Sequence, residues 1–259
     1  MSEKDVKGMG KIVVFANQKG GVGKTTSAVN IGAYCALLGK KVLLVDFDSQ
    51  ANLSSSVSAD RKKPGIYEVL TKKIRGTAAV QQTKVRNLSI IPSSINLSGA
   101  AVELAGIQGR EYFLKKALDG LDGAYDYVFI DCPPSLGILT VNGLAAAQYV
   151  LIPLQCEYLA LEGLSSLLQT IKTIQSRINP SLKIGGILFT MYDTRTKLAN
   201  EVVQEVTEYF KEKVFRTVIP RNVKLSEAPS YGVPINLYDG ECIGALSYKK
   251  LAEEVIRNV

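Results

Sequence analysis

A run rich in glycine and lysine at residues 19–26, KGGVGKTT, constrains the fold of this chain more than any other feature. It follows an apolar, β-branched segment at residues 11–16, which predicts a buried strand. It opens a segment of helix formers at residues 25–38, which ends before Gly39. A strand, a glycine-rich turn and a helix in this order are typical of a phosphate-binding loop at a helix N-terminus.

The residue types in this run suit a nucleotide bound together with a divalent metal. Glycines allow backbone N–H groups to turn toward phosphate oxygens. We expect Lys24 to neutralise the β- and γ-phosphates and the Thr25 hydroxyl to bind Mg²⁺. The predicted nucleotide-binding residues of the loop are Lys19, Gly20, Gly21, Val22, Gly23, Lys24, Thr25 and Thr26.

Further apolar segments predict an α/β fold. Strands are expected at residues 42–45, 88–91, 127–130, 149–152 and 184–188, and amphipathic helices at residues 162–177 and 198–211. Nearly continuous apolar strands that alternate with helices indicate a mostly parallel, twisted sheet with helices on both faces. The 259 residues are 46% hydrophobic and 21% charged, without repeats or low-complexity linkers. We therefore expect one domain over residues 1–259, with residues 1–10 as a flexible N-terminal tail.

Acidic residues follow two of these strands. Asp46 and Asp48 are spaced i, i+2, which places both on one side of an extended chain, where both could face a nucleotide. The chain has no histidine, so we expect a carboxylate to orient an attacking water. Asp131 ends the apolar run VFID, a Walker B pattern, and is expected to hold Mg²⁺ through a water.

The loop departs from the usual phosphate-loop pattern at its start. Gln18 stands where that pattern has glycine, and Lys19 precedes the paired glycines, as in the deviant Walker A ATPases. The further motifs, in chain order, are VLLVDFDSQAN, DYVFIDCPPSLG, QCEYLALEGL, TMYDTRTKLA and TVIPRNVKLSEAPSYG. From about residue 11 to residue 257, the chain thus resembles the ParA/Soj chromosome- and plasmid-partitioning ATPases.

The resemblance implies a P-loop NTPase fold and slow hydrolysis of ATP, with ATP and Mg²⁺ as cofactors, in an ATP-dependent sandwich homodimer. Lys19 resembles the signature lysine that reaches the phosphates of the partner subunit's ATP, and Asp48 resembles the water-positioning aspartate. With Lys24, these residues form the expected catalytic set. Pro220 and Asn222 resemble the segment that contacts adenine.

The resemblance also implies that the ATP-bound dimer binds duplex DNA without sequence preference. A ParB-like centromere-binding protein, together with DNA, would stimulate hydrolysis, and hydrolysis would release the DNA. The expected location is cytoplasmic and nucleoid-associated, without membrane contact. The expected DNA contacts are Arg195, Lys197, Lys224, Lys249 and Lys250. Many relatives have arginine at position 224. The net charge is +7, and residues 60–86, with eight Lys and Arg against two acids, are a weaker candidate surface.

Other proteins on related scaffolds remain alternatives. A MinD-type division-site ATPase binds membrane through a C-terminal amphipathic helix. Leu251, Val255 and Val259 could line one face of such a helix, but Glu253 and Glu254 interrupt its cationic face, so we expect a packed terminal helix. An iron–sulfur carrier needs neighbouring cysteine ligands, whereas the four cysteines lie far apart. A bacterial tyrosine kinase would carry a terminal tyrosine cluster, and the 12 tyrosines are scattered.

Overall fold

The computed structural model describes residues 10–121, 123–157 and 160–259, and its centre is a β-sheet. The strands are β1 (Lys11–Phe15), β2 (Val42–Asp46), β3 (Gln81–Gln82), β4 (Leu88–Ile91), β5 (Tyr127–Asp131), β6 (Tyr149–Gln155) and β7 (Lys183–Thr190). Within the described residues, they form one seven-stranded sheet in the order β3-β4-β2-β5-β1-β6-β7. All pairings are parallel except that of β3 with β4.

Helices cover both faces of the sheet, because most strands are apolar on both sides. They are α1 (Lys24–Leu37), α2 (Asn52–Ser55), α3 (Ile66–Leu70), α4 (Leu97–Glu103), α5 (Phe113–Leu118), α6 (Ile138–Ala146), α7 (Ala160–Arg177), α8 (Lys197–Phe210), α9 (Val223–Glu227), α10 (Ile235–Tyr238) and α11 (Ile243–Asn258). Helices α1 and α11 bury apolar residues in the core of one face. Helices α3, α5, α6, α7 and α8 do so on the other face.

The predicted fold class is confirmed, and the differences are local. The helix predicted over residues 25–38 begins at Lys24 and ends at Leu37. The strand predicted over residues 149–152 continues to Gln155. Strand β3 was not predicted, because two glutamines at a sheet edge carry no apolar pattern. Of the predicted flexible tail, residues 1–9 lie outside the described residues.

The terminal helix α11 packs against α1, as expected from its sequence. Leu251 and Val255 are fully buried there. The Glu254 carboxylate is also buried and accepts hydrogen bonds from the backbone N–H groups of Arg216 and Thr217, at 2.9 and 3.0 Å. The apolar stripe therefore faces the core of the protein. In the part of the chain that the structure describes, no helix is both long enough and apolar enough to span a bilayer.

Strands β2, β5 and β1 are adjacent and parallel, so their carboxyl ends meet at one edge of the sheet. The register pairs both Phe15 and Asp46 with Asp131. Residues 19–26 follow β1 and Asp48 follows β2, so this edge gathers the motifs singled out in the sequence. Ligands bind at this edge in open α/β sheets.

Candidate functional site

The loop at residues 19–26 has the backbone shape of a phosphate cradle. Gly21 and Gly23 have φ angles of 72° and 84°, in the left-handed region that favours glycine. Gly23 is the N-cap of α1, and no side chain accepts a hydrogen bond there. The first turn of α1 also carries no acidic residue. The N–H groups at this helix end are therefore available to an anion, and the helix dipole favours negative charge at the same place.

Two side chains that sequence reasoning missed hold the loop in place. The Asn17 amide donates to the Pro153 carbonyl at 2.7 Å, and its oxygen accepts from the Lys19 N–H at 3.0 Å. Buried Thr190 donates to the Val22 carbonyl at 2.8 Å. Both residues lie at carboxyl ends of strands, next to β1 and in β7. Their place at the ends of strands could have marked them as site residues in the sequence. That inference requires the order of the strands in the sheet, which the sequence pattern does not show.

Lys24 is almost fully buried below the loop. Its ammonium group donates to the Lys19 carbonyl at 3.1 Å. Burial lowers the pKa of Lys24, because it disfavours the charged form, and the nearby Asp131 carboxylate opposes this effect. The side chain is thus a desolvated cation placed inside the cradle.

Asp131 is the fully buried acid of the site. Its Oδ2 accepts a hydrogen bond from the Thr25 hydroxyl at 2.6 Å, and its Oδ1 has no hydrogen-bond partner. Burial, together with the charge of Asp46, raises the pKa of Asp131 to about 8. A hydroxyl and a carboxylate with a free buried oxygen are hard oxygen donors of the kind that Mg²⁺ prefers. The residues present therefore fit the expected metal.

The two carboxylates after β2 differ in environment. Asp46 is fully buried, and its Oδ2 accepts from the N–H and the hydroxyl of Ser54, at 2.7 and 2.6 Å. Burial raises the pKa of Asp46 to about 6. The expectation that both carboxylates face a nucleotide is therefore wrong for Asp46, since its bonds fix the backbone of helix α2. Asp48 is only half-buried, and its Oδ1 accepts from the N–H of Gln50 at 3.0 Å.

Lys19 forms an ion pair within its own chain. Its ammonium group donates to Glu157, and both side chains are about half-exposed. Sequence reasoning had Lys19 reaching a partner subunit and did not identify Glu157, which lies in the motif QCEYLALEGL. The pair lies at the solvent-facing rim of the loop, so Lys19 can exchange Glu157 for another anion without disturbing the core.

The turn at residues 220–222 lies beside the phosphate loop. Pro220 forms an isolated bridge with Tyr192, just after Thr190 at the end of β7. The Asn222 side chain caps α9 by accepting from the Lys224 N–H at 3.0 Å. The structure thus brings the predicted adenine segment to the edge of the sheet that carries the loop.

The predicted DNA contacts fall on the loop before α8 and on helices α8, α9 and α11, and they differ in charge pairing. Arg195 donates twice to Asp193, at 2.9 and 2.7 Å. Lys197 pairs with Glu201 at 3.4 Å, and Lys224 pairs with Glu227 at 3.2 Å. In α11, Lys249 and Lys250 are exposed and make no ion pair with any described residue.

Comparison with known proteins decides the family. A family model described as an AAA domain matches residues 10–184. The "Chromosome-partitioning ATPase Soj" of Treponema pallidum is 62% identical over 96% of this chain and 98% of that protein. The "Chromosome partitioning protein ParA" of Myxococcus xanthus is 49% identical over 96% of this chain and 89% of that protein. The chain belongs to the ParA/Soj family of partitioning ATPases.

The fold of this ParA/Soj chain is shared with nucleotide-bound proteins. A structure titled cobyrinic acid a,c-diamide synthase from Mycobacterium smegmatis, with bound ADP and magnesium, is 40% identical with a TM-score of 0.84. The match covers 96% of this chain and 95% of that one. The expected P-loop NTPase fold and ATPase activity are thereby confirmed, and so are ATP and Mg²⁺ as cofactors at the level of the family.

The MinD-type alternative is less well supported. The MinD structure from Pyrococcus horikoshii, complexed with Mg-ADP, has a TM-score of 0.79 but is only 26% identical over 95% of this chain and 96% of that one. The ParA/Soj relatives are far more similar in sequence. The burial of the apolar stripe of α11 agrees with this ranking.

The raised pKa of Asp131 predicts a pH-dependent stability of the nucleotide-free protein. A carboxyl group with a folded pKa near 8 and an unfolded pKa near 3.9 stabilises the fold at low pH, and this contribution is lost between about pH 4 and pH 8. Asp131→Asn cannot lose a proton, so we expect its free energy of unfolding to exceed that of the wild type at pH 8 and to approach it near pH 4.

Urea unfolding across this range, with EDTA present, measures the difference. Asp48→Asn is the matched control, because it makes the same chemical change at a half-buried position. If the wild type and Asp131→Asn lose stability equally between pH 4 and pH 8, the carboxyl group is not held as described.

Proposed function

We propose that residues 19–26 and Asp131 form the ATP site of a partitioning ATPase. The observation that carries the proposal is the set at the start of α1, in which buried Lys24, half-buried Thr25 and buried Asp131 with its unpaired Oδ1 meet at an uncapped helix N-terminus. This arrangement has both a surplus of N–H donors for phosphates and oxygen donors for a metal.

Each residue of the set has a separate task. The backbone N–H groups of residues 20–26 would hold the phosphate oxygens, and Lys24 would neutralise the β- and γ-phosphates. Thr25 would bind Mg²⁺ directly, and Asp131 would hold it through a water. When bound, Mg²⁺ supplies charge neutralisation on the phosphate oxygens. Pro220 and Asn222 would contact adenine, as their position beside β7 allows.

Asp48 would orient the attacking water. It is the half-buried carboxylate of the pair after β2, whereas the bonds of Asp46 to Ser54 fix it in the core. The bond that Gln50 donates to Asp48 keeps the carboxylate in position at the loop surface. Positioning of water is the main task of such a residue in phosphoryl transfer.

Lys19 would act on the ATP of a second subunit. Its pairing with Glu157 leaves it at the rim of its own site, where a partner's phosphates compete with one carboxylate. The triphosphate carries more charge than Glu157, so exchange of partners favours the ATP-bound sandwich dimer. Lys19 and Glu157 thus link nucleotide state to dimerisation.

Two substitutions separate dimerisation from hydrolysis. We expect Lys19→Ala to bind ATP but to remain monomeric, because its own cradle is intact and the contact to the partner's phosphates is lost. We expect Asp48→Ala to bind ATP and hydrolyse it at least about 10²-fold more slowly, which traps the dimer.

Size-exclusion chromatography with light scattering, in ATP and in ADP, checks both outcomes. Lys11→Ala is the matched control for Lys19→Ala, since Lys11 is exposed at the opposite end of β1. Normal dimerisation of Lys19→Ala in ATP would contradict the role across the interface.

The ATP-bound dimer would bind duplex DNA without sequence preference and act on the nucleoid in the cytoplasm. Lys197 and Lys224 each pair with an exposed or half-exposed acid, and Arg195 pairs with the less exposed Asp193. The Lys197 and Lys224 pairs are single contacts screened by solvent, so DNA phosphates can replace their carboxylates. The Arg195 pair is a two-bond fork, and there the phosphate would have to compete with both bonds. Lys249 and Lys250 extend the surface on α11. A ParB-like partner would stimulate the slow hydrolysis and release the DNA, with residues 1–259 acting as one domain.

Charge reversal tests this surface. We expect Arg195→Glu and Lys224→Glu to weaken duplex binding equally on unrelated sequences. Each should flatten the salt dependence by about one log unit per log unit of salt, because a phosphate contact is lost. ATP binding and dimerisation should be unchanged.

Fluorescence anisotropy with two unrelated duplexes, at several salt concentrations in ATP, measures the effect. Lys183→Glu is the control, because Lys183 is exposed at the far end of β7. If Arg195→Glu and Lys224→Glu both bind like the control, the DNA surface lies elsewhere on the protein.

A further inference from the structure

A second concentration of positive charge lies in a surface cleft away from the ATP site. The cleft is formed by the end of α3, the loop that follows it and α5, and it has a volume of about 620 Å³. Its walls carry the cations Lys72, Lys73, Arg75 and Lys116, and we call it the basic cleft. Lys72, Lys73 and Arg75 of the cleft belong to the basic stretch noted at residues 60–86.

The end of α3 fixes two of these cations in place. The N–H of Lys72 donates to Val69 at 3.0 Å and that of Lys73 to Glu68 at 2.9 Å, which is the Schellman pattern at a helix C-terminus. Lys72 occupies the left-handed position with a φ of 59°, where glycine is the usual residue. Lys72 thus occupies a backbone position that is strained for a residue other than glycine.

Aromatic rings hold the two ammonium groups near the cleft. The Lys72 ammonium lies 5.3 Å from the centre of the Phe113 ring, and that of Lys73 lies 4.9 Å from the centre of the Tyr67 ring. The negative face of an aromatic ring attracts an ammonium group at such distances. They support the side chains without neutralising their charge.

The remaining two cations are brought together by a close backbone contact. A Cβ atom at Gly76 would lie 2.5 Å from the Ala117 carbonyl, so only glycine allows the loop to approach α5 this closely. The contact places Arg75 on the loop beside Lys116 on the helix, and both line the cleft. Cations from the loop after α3 and from α5 therefore converge on one concave surface.

The charges of the basic cleft are not balanced by the protein. No carboxylate oxygen of a described residue lies within 4 Å of the charged nitrogens of Lys72, Lys73, Arg75 or Lys116. Asp119 is the acid among the lining residues. The expected DNA contacts Arg195, Lys197 and Lys224, in contrast, are all paired. An anion can therefore bind the basic cleft without displacing an internal partner.

We propose that the basic cleft binds the phosphodiester backbone of duplex DNA, as a second contact surface. The proposal rests on the proposed function. DNA fits because its closely spaced phosphates match several cations at once and because contacts to phosphate need no particular sequence. The cleft lies on the sheet face of α3 and α5, opposite α11 with Lys249 and Lys250. Duplex contacts are thus available on both faces of the protein.

The test is a pair of double variants of the full chain with equal change of charge. Lys73→Glu with Lys116→Glu alters the basic cleft. Lys62→Glu with Lys115→Glu is the control, because both residues are exposed and neither lines the cleft, although Lys115 is next to Lys116 on α5. Duplex affinity in ATP is measured on two unrelated sequences across a range of salt. ATP hydrolysis and dimerisation are measured in parallel and should stay at the wild-type level.

We expect the cleft variant to flatten the dependence of log affinity on log salt by about 1.8, or about 0.9 for each lost phosphate contact, while the control keeps the wild-type dependence. Equal salt dependence in the two variants would overturn the proposal. It would also be overturned if the cleft variant keeps duplex binding and loses binding of tripolyphosphate or of poly-glutamate. A wild-type chain that binds no duplex in ATP would instead refute the DNA part of the proposed function itself.

Discussion

The hydrogen bond from Thr25 to Asp131 joins the two parts of the molecule on which the site depends. Thr25 belongs to the first turn of α1, and Asp131 ends the central strand β5. The bond is made in the core, where the second carboxylate oxygen has no partner and where burial raises the pKa of Asp131. Burying an ionisable group in this way costs stability unless the group is paired. Lys24 offsets part of this cost, and a bound metal with phosphates would offset more of it.

Outside this core, the charges of the site are held in exchangeable pairs. Lys19 with Glu157, Arg195 with Asp193 and Lys224 with Glu227 all lie at the surface. Such pairs are weak in water, and a polyanion competes well for the cation. In the proposed function, the buried groups would define where the nucleotide binds. The cations of the exposed pairs would contact a second subunit or DNA only when that partner is present.

Most of the features predicted correctly depend on residues that lie close together in the sequence. The loop at residues 19–26, the strands and the acid at the end of β5 follow from local pattern, because glycine content and apolar runs report backbone shape directly. Glu157 and Thr190 could not be found in this way, since their roles depend on strand order. The prediction that Asp46 faces the nucleotide was wrong for a related reason. Its spacing from Asp48 is local, but the bonds that bury it come from Ser54. The basic cleft likewise could not be predicted from local pattern, because it depends on the packing of Gly76 on α5.

Calorimetric titration of ATP with Mg²⁺ into the wild type and Lys24→Ala tests the central claim most directly. Lys41→Ala, with an exposed lysine before β2, is the control. The account predicts that the folded Lys24→Ala variant loses ATP binding, while Lys41→Ala keeps it. ATP affinity near that of the wild type in Lys24→Ala would contradict the account.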